Sequence, residues 1–153
     1  MRERRAAREL ALQALYAEEL TDYPLAQVIE DVIENSELQD ELKTFAKDLF
    51  IAAATHRDEL DKIIKEKSEN WDFERIAIID RLAIRMALSE FKYFNDIPPK
   101  VSISEAIEIA KIYSTDDSSA FVNGILDAVL HDIGDTLAYK LKQPETKAAT
   151  KEE

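Results

Sequence analysis

The sequence predicts an all-helical protein, and three observations carry that prediction. Two glycines and four prolines in 153 residues leave little turn chemistry for sheets. Ala, Leu, Ile, Glu and Lys, all tolerated in helices, dominate the composition. Apolar residues recur at three- and four-residue spacing, and no strand-like alternation persists. The length matches one compact domain that buries about 70% of the surface its unfolded chain exposes.

The first helix spans residues 2–20, with Leu10, Ala11, Ala14 and Leu15 on one stripe, and stops near Thr21-Asp22-Tyr23-Pro24. Pro24 suits a helix start, and Leu25, Val28, Ile29, Val32 and Ile33 give a short amphipathic helix after it. From 38 to about 67, Leu38, Leu42, Phe45, Leu49, Ala52, Leu60 and Ile63 keep helical spacing. That run predicts one long central helix, the spine of the fold, broken by residues 68–72. Residues 73–94 resume the pattern through Ile76, Ile79, Leu82, Ala83, Met86 and Ala87, in one or two pieces, until Asn95-Asp96-Ile97-Pro98-Pro99 stops it. Ser102-Ile103-Ser104-Glu105 has capping-box spacing and opens a helix to about Tyr113. An Asp or Ser of residues 115–118 then caps a last helix, with Phe121, Val122, Ile125, Val129 and Leu130 facing the core until about Leu137. The organisation expected is one domain over 1–138 and a charged, disordered tail over 139–153.

Composition excludes several function classes. Without cysteine there is neither a disulfide framework nor a thiolate metal site, which suits a reducing cytoplasm. No apolar run approaches the roughly 20 residues that span a bilayer. Neither His56 nor His131 has a Glu three residues before it, so a ferritin-like metal site lacks its motif. His56 reads as a hydrogen-bonded core or edge imidazole, and His131 as a charge complement at a helix C-terminus. No Gly-rich phosphate loop exists, and Ser118-Ser119 has no nearby histidine to activate it. The chain is expected to be no enzyme and to carry no cofactor or metal.

The charge distribution is the positive signal. Net charge is −12, yet the first ten residues hold Arg2, Arg4, Arg5 and Arg8 against Glu3 and Glu9. Arginine in a helix's first turn opposes the macrodipole at a cost of about 0.3–1 kcal/mol per charge. A polyanion outside the fold, RNA first, accounts for the cluster through bidentate phosphate contacts and counterion release. The competing account pairs these arginines with the chain's many carboxylates.

Four segments then converge. Arg-Arg-Ala-Ala-Arg-Glu followed by Ala-Leu-Gln-Ala-Leu-Tyr, Asp80-Arg81 with Arg85-Met86-Ala87 and Glu90, Ser104 to Lys111, and Phe121-Val122-Asn123-Gly124-Ile125-Leu126-Asp127 resemble, in order and spacing, the NusB family of bacterial transcription antitermination factors. The resemblance covers the chain up to about Leu137. It implies two small helical bundles sharing the long central helix and a function without catalysis. The partners it implies are the boxA element of ribosomal RNA leader transcripts, a small-subunit ribosomal protein acting as NusE, and the antitermination complex on RNA polymerase. A homodimer, and the residues that meet NusE, are left open.

Residue by residue, Arg4, Arg5 and Arg8 match the family's arginine-rich RNA-binding motif. Arg4 and Arg8 share a helix face and Arg5 stands about 100° away. Phe121 matches an aromatic that stacks on a base, against a core role suggested by Ile125 at i+4. Asp117 matches an acidic position of the same segment, against an N-cap role. Asp80 matches a carboxylate in the neighbouring stretch, against a surface ion pair. Ala120 departs from the pattern where some relatives carry Lys, which leaves this patch less basic. Gly124, inside a helix at a cost of about 1 kcal/mol, reads as a site of close helix packing. Two other readings stand beside this one: the NusB-like domain of a ribosomal RNA cytosine methyltransferase, disfavoured by a charged tail with no Gly-rich cofactor region, and a helical protein-binding module without RNA.

Overall fold

The computed structural model describes residues 2–68 and 72–141, and all of its long elements are helices. Helix α1 (Arg2–Leu20) runs as expected, burying Ala7, Arg8, Leu10, Ala11, Leu12, Ala14 and Leu15. Pro24, extended at φ −60° and ψ 154°, starts the short α2 (Leu25–Val28), which continues as a π-helical turn over Ile29–Glu34. The widened turn lets Val28 and Ile33, five residues apart, both face inward.

The expected spine is two helices, α3 (Asp40–Thr55) and α4 (Arg57–Lys67), interrupted at His56. There the backbone leaves the helical region (φ −102°, ψ 25°), and the imidazole Nδ1–H donates to the Ala52 carbonyl at 2.9 Å. Side-chain donation onto a carbonyl four residues back bends a helix, and the ring is held by stacking on Tyr93 at 4.6 Å. The break after α4 stands, with Asp72 accepting the Glu74 N–H to start a 3-10 turn at Phe73–Arg75; residues 69–71 lie outside the described residues.

The spine is instead α5 (Ile78–Tyr93), in which every residue from Leu82 through Phe91 is buried. A helix buried all round needs cover on every side. α1 and α3 pack on one flank of α5, with the π turn against α1 and α3, and α4, α6 (Pro99–Tyr113) and α7 (Asp116–Leu141) pack on the other. Two small bundles thus share α5. Its buried Arg85 is paired: it donates to Asp61 at 2.9 and 3.1 Å and reaches Glu19 at 3.4 Å.

Both expected caps are corrected. α6 begins at Pro99, after an extended Pro98, because a missing N–H costs nothing at a helix's first position. Ser102 and Glu105 therefore lie inside the helix and turn inward. α7 is capped by Thr115, whose hydroxyl accepts the Ser118 N–H at 3.2 Å, so Asp117 is not the cap. α7 runs past Leu137 to Leu141, which leaves His131 mid-helix and exposed rather than at an end. The expected disordered tail falls largely on residues 142–153, outside the described residues. At Gly124 an added Cβ would meet nothing within 4 Å, so close packing does not explain this glycine. Among the described residues no helix is long and apolar enough to cross a membrane.

Candidate nucleic-acid interface

The three arginines of α1 have three different environments. Arg8 is inside: its side chain is 2% exposed, and Nε and Nη2 donate to both oxygens of Glu90 at 2.7 and 2.9 Å. Glu90, equally buried, also accepts the Ser102 hydroxyl at 2.5 Å. The expectation that Arg4 and Arg8 project together into solvent is corrected. Packing of α1 against α5 carries residue 8 into the core, and the core supplies the carboxylate. Of the Arg8 guanidinium nitrogens, Nη1 alone is buried without a hydrogen bond, 3.9 Å from Glu105.

Arg5 lies at the boundary. Its Nε and Nη2 bond both oxygens of Glu105 at 2.9 and 3.0 Å, while its side chain stays 37% exposed. The Arg5 hydrogen bonds hold the Glu105 carboxyl below the usual carboxylate range, and Glu105 in turn raises the Arg5 guanidinium above its ordinary value. Arg4 is the outermost of the three. Its guanidinium lies 4.5 Å over the Phe45 ring and 3.7 Å from the Asp96 carboxylate, which is itself exposed.

The second expected cluster comes together in a pocket of about 210 Å3 where α7 begins, lined by Asp80, Asp117, Ser118, Phe121, Thr115 and Arg75 among others. Asp80 is not in a surface ion pair. It is buried at 6% exposure, accepts the Ser118 hydroxyl through Oδ2 at 2.8 Å, and keeps Oδ1 buried without a partner. Phe121 is half-buried, packed against the core while its ring lines the pocket. Asp117 is exposed in the first turn of α7, where the macrodipole favours a carboxylate.

Helix α6 joins the two clusters. Glu105 receives Arg5, and about 12 Å further along the helix the Tyr113 hydroxyl is set near the Glu9 carboxylate of α1. Burial first, then Glu9, pushes the Tyr113 hydroxyl above its ordinary value, yet its ring remains exposed. Next in the chain, Ser114 lies 2.9 Å from the Ser118 hydroxyl that holds Asp80. Sequence reasoning missed Tyr113 as a surface aromatic here; it closes an apolar run, Ile109-Ala110-Lys111-Ile112-Tyr113, that reads as core. It also missed Glu90 and Glu105 as the arginines' partners, which no local spacing signals.

Comparison with known proteins decides the family. The pattern that defines the NusB family matches residues 5–131. This chain belongs to the NusB family. It is 44% identical over 136 residues to the transcription antitermination protein NusB of Salinibacter ruber, covering 88% of this chain and 85% of that one. The Myxococcus xanthus NusB is 44% identical over 130 residues, 82% of this chain and 93% of the relative. Among solved structures, T. maritima NusB superposes with a TM-score of 0.74 at 32% identity, covering 95% and 96% of the two chains. A crystal structure of the antitermination factors NusB and NusE in complex with double-stranded RNA superposes with a TM-score of 0.77 at 26% identity, covering 86% and 98%. NusB proteins are antitermination factors and not enzymes, so the match favours NusB over the methyltransferase reading.

Proposed function

We propose that this NusB chain binds the boxA element of ribosomal RNA leader transcripts along the edge formed by the start of α1, the end of α6 and the start of α7. It does so together with the ribosomal protein acting as NusE, and the assembly joins RNA polymerase. The observation that carries this reading is the pocket at α7. A buried carboxylate oxygen without a partner, beside a half-exposed phenyl ring, fits an unstacked base that stacks on Phe121 and donates an amino hydrogen to Asp80 Oδ1. Two further observations support it: cations concentrated at the start of α1 in a chain of net charge −12, and a solved NusB–NusE complex that contains RNA on the same fold.

The arginines then divide the work. Arg4 leaves an exposed contact worth about 0–1 kcal/mol, so a phosphate takes it at little cost. Arg5 keeps its Glu105 bonds and offers its outward N–H groups, with Glu105 fixing the direction of the fork. Arg8 acts through position, since its bond to Glu90 locks the turn that carries Arg4 and Arg5. Asp117 stands at the pocket mouth as a second acceptor for base amino groups. The acidic remainder of the surface complements a basic ribosomal protein.

Titration of fluorescein-labelled boxA RNA, with and without NusE, tests the reading against a scrambled RNA of equal length. The expected result is tighter binding to boxA and further tightening by NusE. Equal affinity for both RNAs, unchanged by Asp80→Asn and Phe121→Leu, refutes it.

A further inference from the structure

A cavity between α3 and the end of α5 meets the RNA edge only at Arg4. It has a volume of about 600 Å3, and its walls are aromatic: Phe45, Phe94, Tyr93 and His56. The rings are fixed in pairs, Phe45 against Phe94 edge-on at 5.6 Å and His56 on Tyr93 at 4.6 Å. Around them stand the carboxylates of Glu41, Asp48 and Asp96. Ring faces and carboxylates both attract cations, and a planar guanidinium suits the ring faces better than an ammonium does.

The molecule supplies its own precedent. The one Lys or Arg among the lining residues is Arg4, whose guanidinium carbon is 4.5 Å from the Phe45 centroid while a nitrogen reaches to 3.7 Å from Asp96. Its side chain is 39% exposed, so it covers the mouth without filling the groove. Beyond it, Tyr93 and Ile51 remain exposed.

We infer that this groove docks an arginine on a basic segment of a partner protein, which takes the place of Arg4 over Phe45 and extends along Tyr93. The occupant is a protein segment and not RNA, because the rim carboxylates repel phosphate. Arg4 is an internal competitor for the same place. This inference does not depend on the RNA reading, since the seat is defined by the rings and carboxylates alone.

The test uses the full chain with two fluorescein-labelled probes of equal charge, a tri-arginine and a tri-lysine peptide, read by anisotropy and by amide chemical-shift mapping. Tri-arginine is expected to bind more tightly than tri-lysine by up to about 5-fold, the full worth of one exposed cation–ring contact. Shifts should concentrate in α3 and residues 91–97. Arg4→Ala should tighten tri-arginine, and Tyr93→Ala and, independently, Glu41→Gln should weaken it; both residues are exposed, and thermal melting checks that each variant is folded. Equal binding of the two peptides, with shifts scattered over the acidic surface and no response to Tyr93→Ala or Glu41→Gln, overturns the inference in favour of general charge attraction.

Discussion

Replacing Arg8 by Met keeps most of the side chain's apolar volume and removes its charge and N–H donors together, which isolates what the Arg8–Glu90 pair does for the fold. Both side chains are 2% exposed, and their two hydrogen bonds are 2.7 and 2.9 Å long. Removing one member leaves Glu90 buried with only the Ser102 hydroxyl, and stranding a buried charge costs about 3–5 kcal/mol. In a chain of this size each kcal/mol moves the melting temperature by about 2–4 °C, so Arg8→Met should melt roughly 6–20 °C below the parent. Arg4→Ala, which loses one exposed contact and one ring contact worth up to about 1 kcal/mol each, should stay within about 8 °C. Thermal unfolding followed by circular dichroism at neutral pH measures both. Adding Glu90→Leu to Arg8→Met should restore much of the loss, since an apolar pair of similar volume replaces a buried ion pair at little net cost. A melting point for Arg8→Met within 2 °C of the parent refutes the assignment of Arg8 to the core.

Acid should weaken the tie between α1 and α6. Glu105 is held below the ordinary carboxylate range by Arg5, so its stabilisation is complete above the unfolded value near 4.3 and is lost as pH falls through the lower folded value. Melting temperatures from pH 7 to pH 3 should show a shallower acid decline in Glu105→Gln than in the parent. Gly124→Ala should raise stability by up to about 1 kcal/mol in denaturant titration, because the added methyl meets nothing and alanine is the better helix former. Asp80→Asn, which keeps an acceptor for Ser118, should leave melting within a few degrees and weaken boxA binding in fluorescence titration. If Arg4 serves RNA and competes for the aromatic groove, saturating boxA RNA should tighten the tri-arginine peptide, and the peptide should tighten RNA by the same factor.

Periodicity made the helices legible. α1, α6 and α7 follow from apolar spacing and proline stops, and Asp80, distant in sequence, lines one pocket with Asp117 and Phe121 of α7. What spacing could not give is which helix lies in the middle. Residues 38–67 and 73–94 are equally periodic, and the second is the shared helix, where buried Arg85 and Glu90 find ion-pair partners on other helices. The same non-local pairing hid the roles of the arginines. At the level of sequence, three cations at a helix start ask for an external anion. In the structure Glu90 and Glu105, supplied by α5 and α6, answer for two of them, and only Arg4 keeps an exposed, exchangeable contact. The capping-box spacing misled for a related reason: Ser102 and Glu105 serve that polar core while Pro99 starts the helix.

The salt dependence of boxA binding separates the two halves of the proposed RNA edge in one experiment. Affinities of the parent, Arg4→Ala and Phe121→Leu are measured from low to moderate salt and plotted as log K against log salt. A phosphate contact sets the slope and a stacked base sets only the level. Arg4→Ala should therefore flatten the slope by about 0.7, and Phe121→Leu should lower affinity at every salt concentration with the slope unchanged. Three superimposable lines would contradict the account.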